Sequence, residues 1–265
     1  GGTNYTVQRL PPLIESTHTA FRIVDVRFGP DGALYLADWY NPVIGHYQAS
    51  FRDPARDQTR GRIWRVVPAG SGDLSRKKLN SLPTTELTPL LSSPERWHRQ
   101  MAKRVLAGRP SGEVGRALRA WLNSLPASAP DLELARVEAL GVFASHEIIE
   151  TNLLATLAAS ARPEARAFAA RVTGHWADRW PGAAGLLAKL VVDADPRVRL
   201  EAVVACSYLP GERAVEIAAQ ATDLPMDAAL EYAFTQCVHA LEPRWGSAHE
   251  AGRLTFGGGA TRQTA

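Results

Sequence analysis

Apolar and polar positions follow two different periods along this chain. From Phe21 to Phe28 (FRIVDVRF) apolar side chains fall on alternate residues, Gly29-Pro30-Asp31-Gly32 supplies turn chemistry, and Ala33 to Asp38 (ALYLAD) resumes as a second strand. Gly61 to Val67 (GRIWRVV) reads as a third strand and Tyr5 to Gln8 as a weaker fourth. Residues 1–67 are thus expected to form one antiparallel sheet of four strands, about the content of a single propeller blade. A lone blade cannot cover its own faces and edges, so either further blades lie upstream or the sheet docks on the helical region. The opening Gly1-Gly2-Thr3-Asn4 looks like a cut rather than a natural start.

Residues 68–89 are rich in Gly, Ser, Pro, Lys and Thr and read as a linker. From residue 90 the period becomes helical, and one pattern recurs: Arg99-x-x-Ala102, Arg136-x-x-Ala139, Arg166-x-x-Ala169 and Arg199-x-x-Ala202, spaced by 37, 30 and 33 residues. Leu230-x-x-Ala233 follows 31 further on without the arginine. Such periods with two helices per unit predict a HEAT-like α-solenoid over residues 90–245, the small alanine allowing close helix approach. Asp195 is placed to cap a helix and Pro196 to occupy its first turn. Second helices are expected near 114–125, 148–159, 183–192 and 213–221, and residues 246–265 as a flexible tail. The fold class is α+β, mostly α: a propeller-type blade followed by a solenoid.

Composition narrows the functions. With 265 residues and 45% hydrophobic content the chain can bury a core. Its net charge of +3 is spread among acids rather than gathered in a stripe, which argues against nucleic-acid binding. The longest apolar runs, such as Leu186 to Val192, are far too short to span a bilayer, and no leader peptide is visible. Cys206 and Cys237 sit in helical segments as small apolar residues, and without CxxC or CxxCH there is neither a cysteine zinc site nor a c-type haem attachment motif. Sequence alone leaves a disulfide between them open. Hydrolase-elbow, zinc-protease and nucleotide-loop motifs are absent too.

Candidate chemistry gathers in one connection. Asp38, Asn41, His46, Asp53 and Asp57 place carboxylates, an amide and an imidazole between strands, with Trp39, Tyr40 and Tyr47 beside them. Carboxylates there could hold calcium, and His46 is the candidate general base. The competing reading is structural: Asp and Asn bond their own turns, Arg52, Arg56, Arg60 and Arg62 pin the loop, and the aromatics pack. Arg99, Arg136, Arg166 and Arg199 favour a structural ladder over an anion site. His98, His146, His175 and His239 fall on separate units and form no metal pair.

The run Asp38-Trp39-Tyr40-Asn41-Pro42-Val43-Ile44-Gly45-His46, with Arg52-Asp53-Pro54, Arg56-Asp57 and Gly61-Arg62-Ile63-Trp64-Arg65, resembles the closing blade of the membrane-bound dehydrogenase-like proteins of planctomycete and verrucomicrobial type. Their propeller is similar to that of glucose and sorbosone dehydrogenases and is followed by HEAT repeats and often a c-type cytochrome domain. Ala229-Leu230-Glu231-Tyr232-Ala233 and Ala240 to Trp245 resemble the family's late helical repeat. The resemblance implies an extracytoplasmic, periplasmic-type oxidoreductase that oxidises a sugar or alcohol, with PQQ, calcium and haem c in the full-length parent but no cofactor within this fragment. Its implied partners are the rest of the propeller, a cytochrome c domain and a protein on the solenoid surface. The alternative is a non-catalytic scaffold with a ligand-binding propeller.

Overall fold

The computed structural model describes residues 2–43, 53–70 and 78–257. They are mostly helical, with one small antiparallel sheet: β1 (Ile23–Phe28), β2 (Leu34–Asp38) and β3 (Arg62–Val66), in that spatial order. The helices are α1 (Thr84–Leu87), α2 (Arg96–Ala107), α3 (Ser111–Ser124), α4 (Leu132–Ser145), α5 (Thr151–Ala158), α6 (Pro163–His175), α7 (Ala183–Leu190), α8 (Pro196–Cys206), α9 (Ala214–Ala219) and α10 (Ala228–Glu250). Two compact units result: Gln8–Gly108, and the residues from Arg109 onward together with those up to Val7.

In the first unit, β1 and β2 are joined by a turn in which Gly32 adopts φ +68°, a conformation that costs glycine little. Register pairs Val26 with Leu36 and Leu36 with Trp64, so these three share one face, while Arg27, Tyr35 and Arg65 share the other. A bulge between Ile23 and Asp25 marks the start of β1. Several apolar side chains of the sheet stay in solvent, Phe28 at 58% and Ile63 at 76% exposure. The expected fourth strand at Tyr5 to Gln8 does not form: the segment is irregular, and Tyr5 to Val7 belong to the second unit, where Thr3 bonds Asp227.

Part of the stretch read as linker is ordered. Short 3-10 turns at Leu79–Ser81 and Thr88–Ser92 flank α1, and Leu79, Leu87 and Leu91 are buried, as are Ala102 and Leu106 of α2. Linker-like prolines here start helices: Pro83 is the N-cap of α1 and Pro89 lies in the first turn of the second 3-10 segment. The boundary between the units then falls at Gly108, between α2 and α3.

In the second unit α4, α6, α8 and α10 pack successively on one another, as do α5, α7 and α9, giving two layers in chain order. The repeated alanines Ala139, Ala169 and Ala202 are fully buried between them. Gly174 on α6 meets α8 so closely that a Cβ there would lie 2.8 Å from the Ala205 Cβ. Asp195 caps α8 by accepting from the Arg197 N–H at 2.8 Å, with Pro196 at the first position. Cys206 and Cys237 are free thiols in the same core cluster, and burial pushes both thiol pKa values up, that of Cys237 to about 12.

Residues 246–250, expected in a flexible tail, instead continue α10 to Glu250, with Ala248 fully buried. Beyond it, Arg253 pairs with Glu212 and the Thr255 N–H donates to Glu216. Among the described residues no helix is long and apolar enough to cross a membrane.

Candidate functional site

Strand register builds the centre of the candidate site. Asp38 ends β2 directly opposite Arg62, and Trp64, two residues along β3, lies on the same face. The carboxylate accepts four hydrogen bonds: Oδ1 from the Arg22 and Tyr40 N–H groups at 2.8 and 3.0 Å, Oδ2 from Arg62 Nε and Trp64 Nε1, both at 2.9 Å. Burial pushes the Asp38 pKa up, but the bonds from Arg22, Trp64 and Tyr40 with the Arg62 charge outweigh it, and the net direction is down. The bond from the Tyr40 N–H closes a turn two residues on, where Tyr40 takes φ +55°. The Tyr40 ring then lies 4.0 Å from the Arg62 guanidinium carbon, and the Trp39 ring 5.3 Å from that of Arg56.

The other sequence candidates separate from this centre. Asn41 is fully buried, its Oδ1 accepting from the Val43 N–H at 3.1 Å while Nδ2 has no partner among the described residues. Asp53 bonds the Ala55 N–H, and Asp57 bonds Thr59 and the Arg60 N–H, each closing its own turn. The Thr59 amide is the main cause holding the Asp57 pKa below its usual value. His46 and Tyr47 lie outside the described residues.

A second buried carboxylate, Asp31, lies outside the connection that the residue types single out. Asp31 is buried in the β1–β2 turn, where Oδ2 accepts from Arg65 Nε at 2.7 Å and the Tyr35 hydroxyl at 2.9 Å, and Oδ1 from the Ala33 N–H at 3.3 Å. The Arg65 bond leads in drawing its pKa down to about 2. Strand alternation carries the signal, since Tyr35 and Arg65 are direct cross-strand neighbours.

The repeated arginines do similar work at similar positions. Arg99, Arg166 and Arg199 are each the fourth residue of their helix, and each Nη1 donates to the carbonyls six and five residues earlier: Ser93 and Pro94, Ser160 and Ala161, Asp193 and Ala194. Those carbonyls belong to the connection entering the helix, so each arginine closes the loop before it. Arg199, only 4% exposed, also reaches the Pro225 carbonyl at 2.7 Å, and Arg166 takes both Asp193 oxygens at 2.7 and 2.8 Å. Arg136 comes one position later in α4 and lies instead in a shallow groove with Arg119 and Glu150.

Among the described residues no group of three or more His, Cys, Asp or Glu is arranged to hold a metal ion. Asp38 and Asp31 do not fit calcium, because their oxygens already face N–H and O–H donors.

Residues 2–70 match a family model described as a domain of unknown function (DUF7133), a minority of the chain. No curated protein matches it. Among solved structures, the crystal structure of an engineered protein is 17% identical, covering 68% of this chain and 92% of that one with a TM-score of 0.36, too loose an overlap to identify a fold.

Proposed function

We propose that this chain is a non-catalytic interaction module, a HEAT-like stack presenting its surface to a protein partner, in a chain that also carries a propeller-type blade. The observation that carries this reading is the Asp38 carboxylate, whose two oxygens are filled by four donors of the same unit. A carboxylate that binds substrate, cofactor or metal must keep an acceptor for it, and this one acts as a clamp between β2 and β3.

A second reading, in which the module belongs to an extracytoplasmic quinone-linked sugar or alcohol dehydrogenase, is favoured by the apolar side chains left exposed on the sheet, which suit packing against further sheet. In that case the reacting groups would come from outside Asp38, Asn41 and their neighbours.

Asp38→Ala and Asp38→Asn, compared with the unaltered chain by thermal melting and by dye reduction with PQQ, calcium and a panel of sugars and alcohols, test the proposal. Asp38→Ala is expected to cost about 2 kcal/mol, since it removes the buried carboxylate on which four donors of the unit converge. No variant is expected to turn over any substrate. Dye reduction by the unaltered chain that disappears in Asp38→Asn at an unchanged melting temperature would overturn the module reading.

A further inference from the structure

A groove runs between the first turns of α6 and α8, and the chain's own residues 2–7 lie at its mouth. Thr3 is 7% exposed in an otherwise exposed segment, whereas Tyr5 is 81% exposed. Thr3 donates its N–H to Asp227 Oδ2 at 2.6 Å and its hydroxyl faces both carboxylate oxygens at 2.9 and 2.8 Å. Asp227 Oδ1 meanwhile accepts from the Leu230 N–H as the cap of α10. Gly2 sits at φ +72°, and a Cβ there would come within 2.3 Å of Asp227 Oδ2, so the site reads Gly followed by a hydroxyl residue.

Beyond Thr3 the fit loosens. Tyr5 touches the rim through Arg197, whose guanidinium carbon is 5.8 Å from its ring. A cavity of about 360 Å³ stays open beside it, with Ala167, Phe168 and Leu200 as apolar lining. The Arg171–Glu201 and Arg197–Glu164 pairs at its edge cancel in charge. Past them the surface continues to Val204 and Tyr208, both exposed.

We infer that this groove is a peptide-recognition site for an extended, uncharged partner segment of pattern Gly-Thr/Ser-x-aromatic, and that residues 2–7 are a placeholder ligand held in cis. The resident segment shows what the polar end accepts; the open apolar lining shows that a partner could place its aromatic side chain deeper than Tyr5 does. Tethering gives the placeholder a millimolar-range local concentration, so a free peptide competes poorly until the placeholder is weakened. The inference rests on reading the stack as an interaction surface, and its failure would leave the outcome at Asp38 untouched.

The test uses the full chain and a synthetic peptide, acetyl-Gly-Gly-Thr-Asn-Tyr-Thr-Val-Gln-amide, titrated by NMR. Gly2→Val, which evicts the placeholder, is expected to bind the peptide at least tenfold tighter than the unaltered chain, and Thr3→Ala provides a second route to the same state. Adding Asp227→Asn, which keeps the helix cap but removes an acceptor and the charge, is expected to weaken binding at least tenfold. A peptide with Val in place of its second glycine should not bind. Equal affinity for the unaltered chain and Gly2→Val, equal binding of the Val peptide, or no binding to either variant up to about 2 mM, the weak end of measurable affinity, would overturn the inference.

Discussion

In the sheet, two buried carboxylates, Asp31 and Asp38, gather donors from the strands around them while Phe28, Ile63 and Val24 remain more than half exposed. In the helical stack, Leu140, Leu154, Leu187, Leu230 and Leu241 are fully buried, and the charged groups that matter are arginines turned onto backbone carbonyls. The contrast teaches where each region keeps its specificity. A three-stranded sheet has little interior, so its register depends on a few polar clamps. A stack of helix pairs distributes the task, with each unit using its neighbour as a wall.

The sharpest way to break that contrast is to show that the stack, too, hangs on one polar group. Arg199→Ala removes the donor that holds three carbonyls in a buried site and is expected to cost about 3 kcal/mol in chemical denaturation, with Arg199→Lys recovering part of it. A loss under about 1 kcal/mol would mean that helix packing alone suffices.

A smaller effect sharpens the sheet side. Because the Asp31 pKa is lower folded than unfolded, the unfolded chain takes up its proton first as pH falls. The stabilisation is present above about pH 4, the usual carboxylate range, and is lost as pH falls toward about 2. Asp31→Asn should flatten the pH dependence of sheet stability in that window, followed through the amide NMR signals of β1, β2 and β3 during acid titration. An unchanged slope would remove Asp31 from the account.

The smallest expected effect is at the surface of the stack. Arg171 and Glu201 pair across α6 and α8, but Arg171 is largely exposed, so a double-mutant cycle should return a coupling of about 0.5 kcal/mol that salt diminishes. A coupling as large as the Arg199 loss would erase the distinction between buried and exposed arginines.

Much of the architecture was legible in the residues, for physical reasons. Alternation marked β1, β2 and β3, and the Arg-x-x-Ala spacing marked the starts of α2, α6 and α8, where burial of Ala102, Ala169 and Ala202 imposes the helical period directly. Tyr5 to Gln8 misled because alternation over four residues says nothing about whether a partner edge is at hand. The stretch before Pro89 misled because proline serves linkers and helix starts alike. At the site, residue types showed that Asp38 was special but not that its acceptors were filled, since that depends on Arg22 and Trp64, which lie 16 and 26 residues away. Thr3 and Asp227 are 224 residues apart, and no local pattern joins them.

Several ion pairs of the stack join residues separated by about one unit: Arg119 to Glu150 across 31 positions, Glu147 to Arg179 across 32, Arg166 to Asp193 across 27, Arg171 to Glu201 across 30. Shortening a single connection by one amino acid would therefore misalign every rung that spans it, whereas excising an entire helical pair would let each surviving rung find an equivalent neighbour. Growth and shrinkage of such an array by whole modules, rather than by single codons, is built into its wiring.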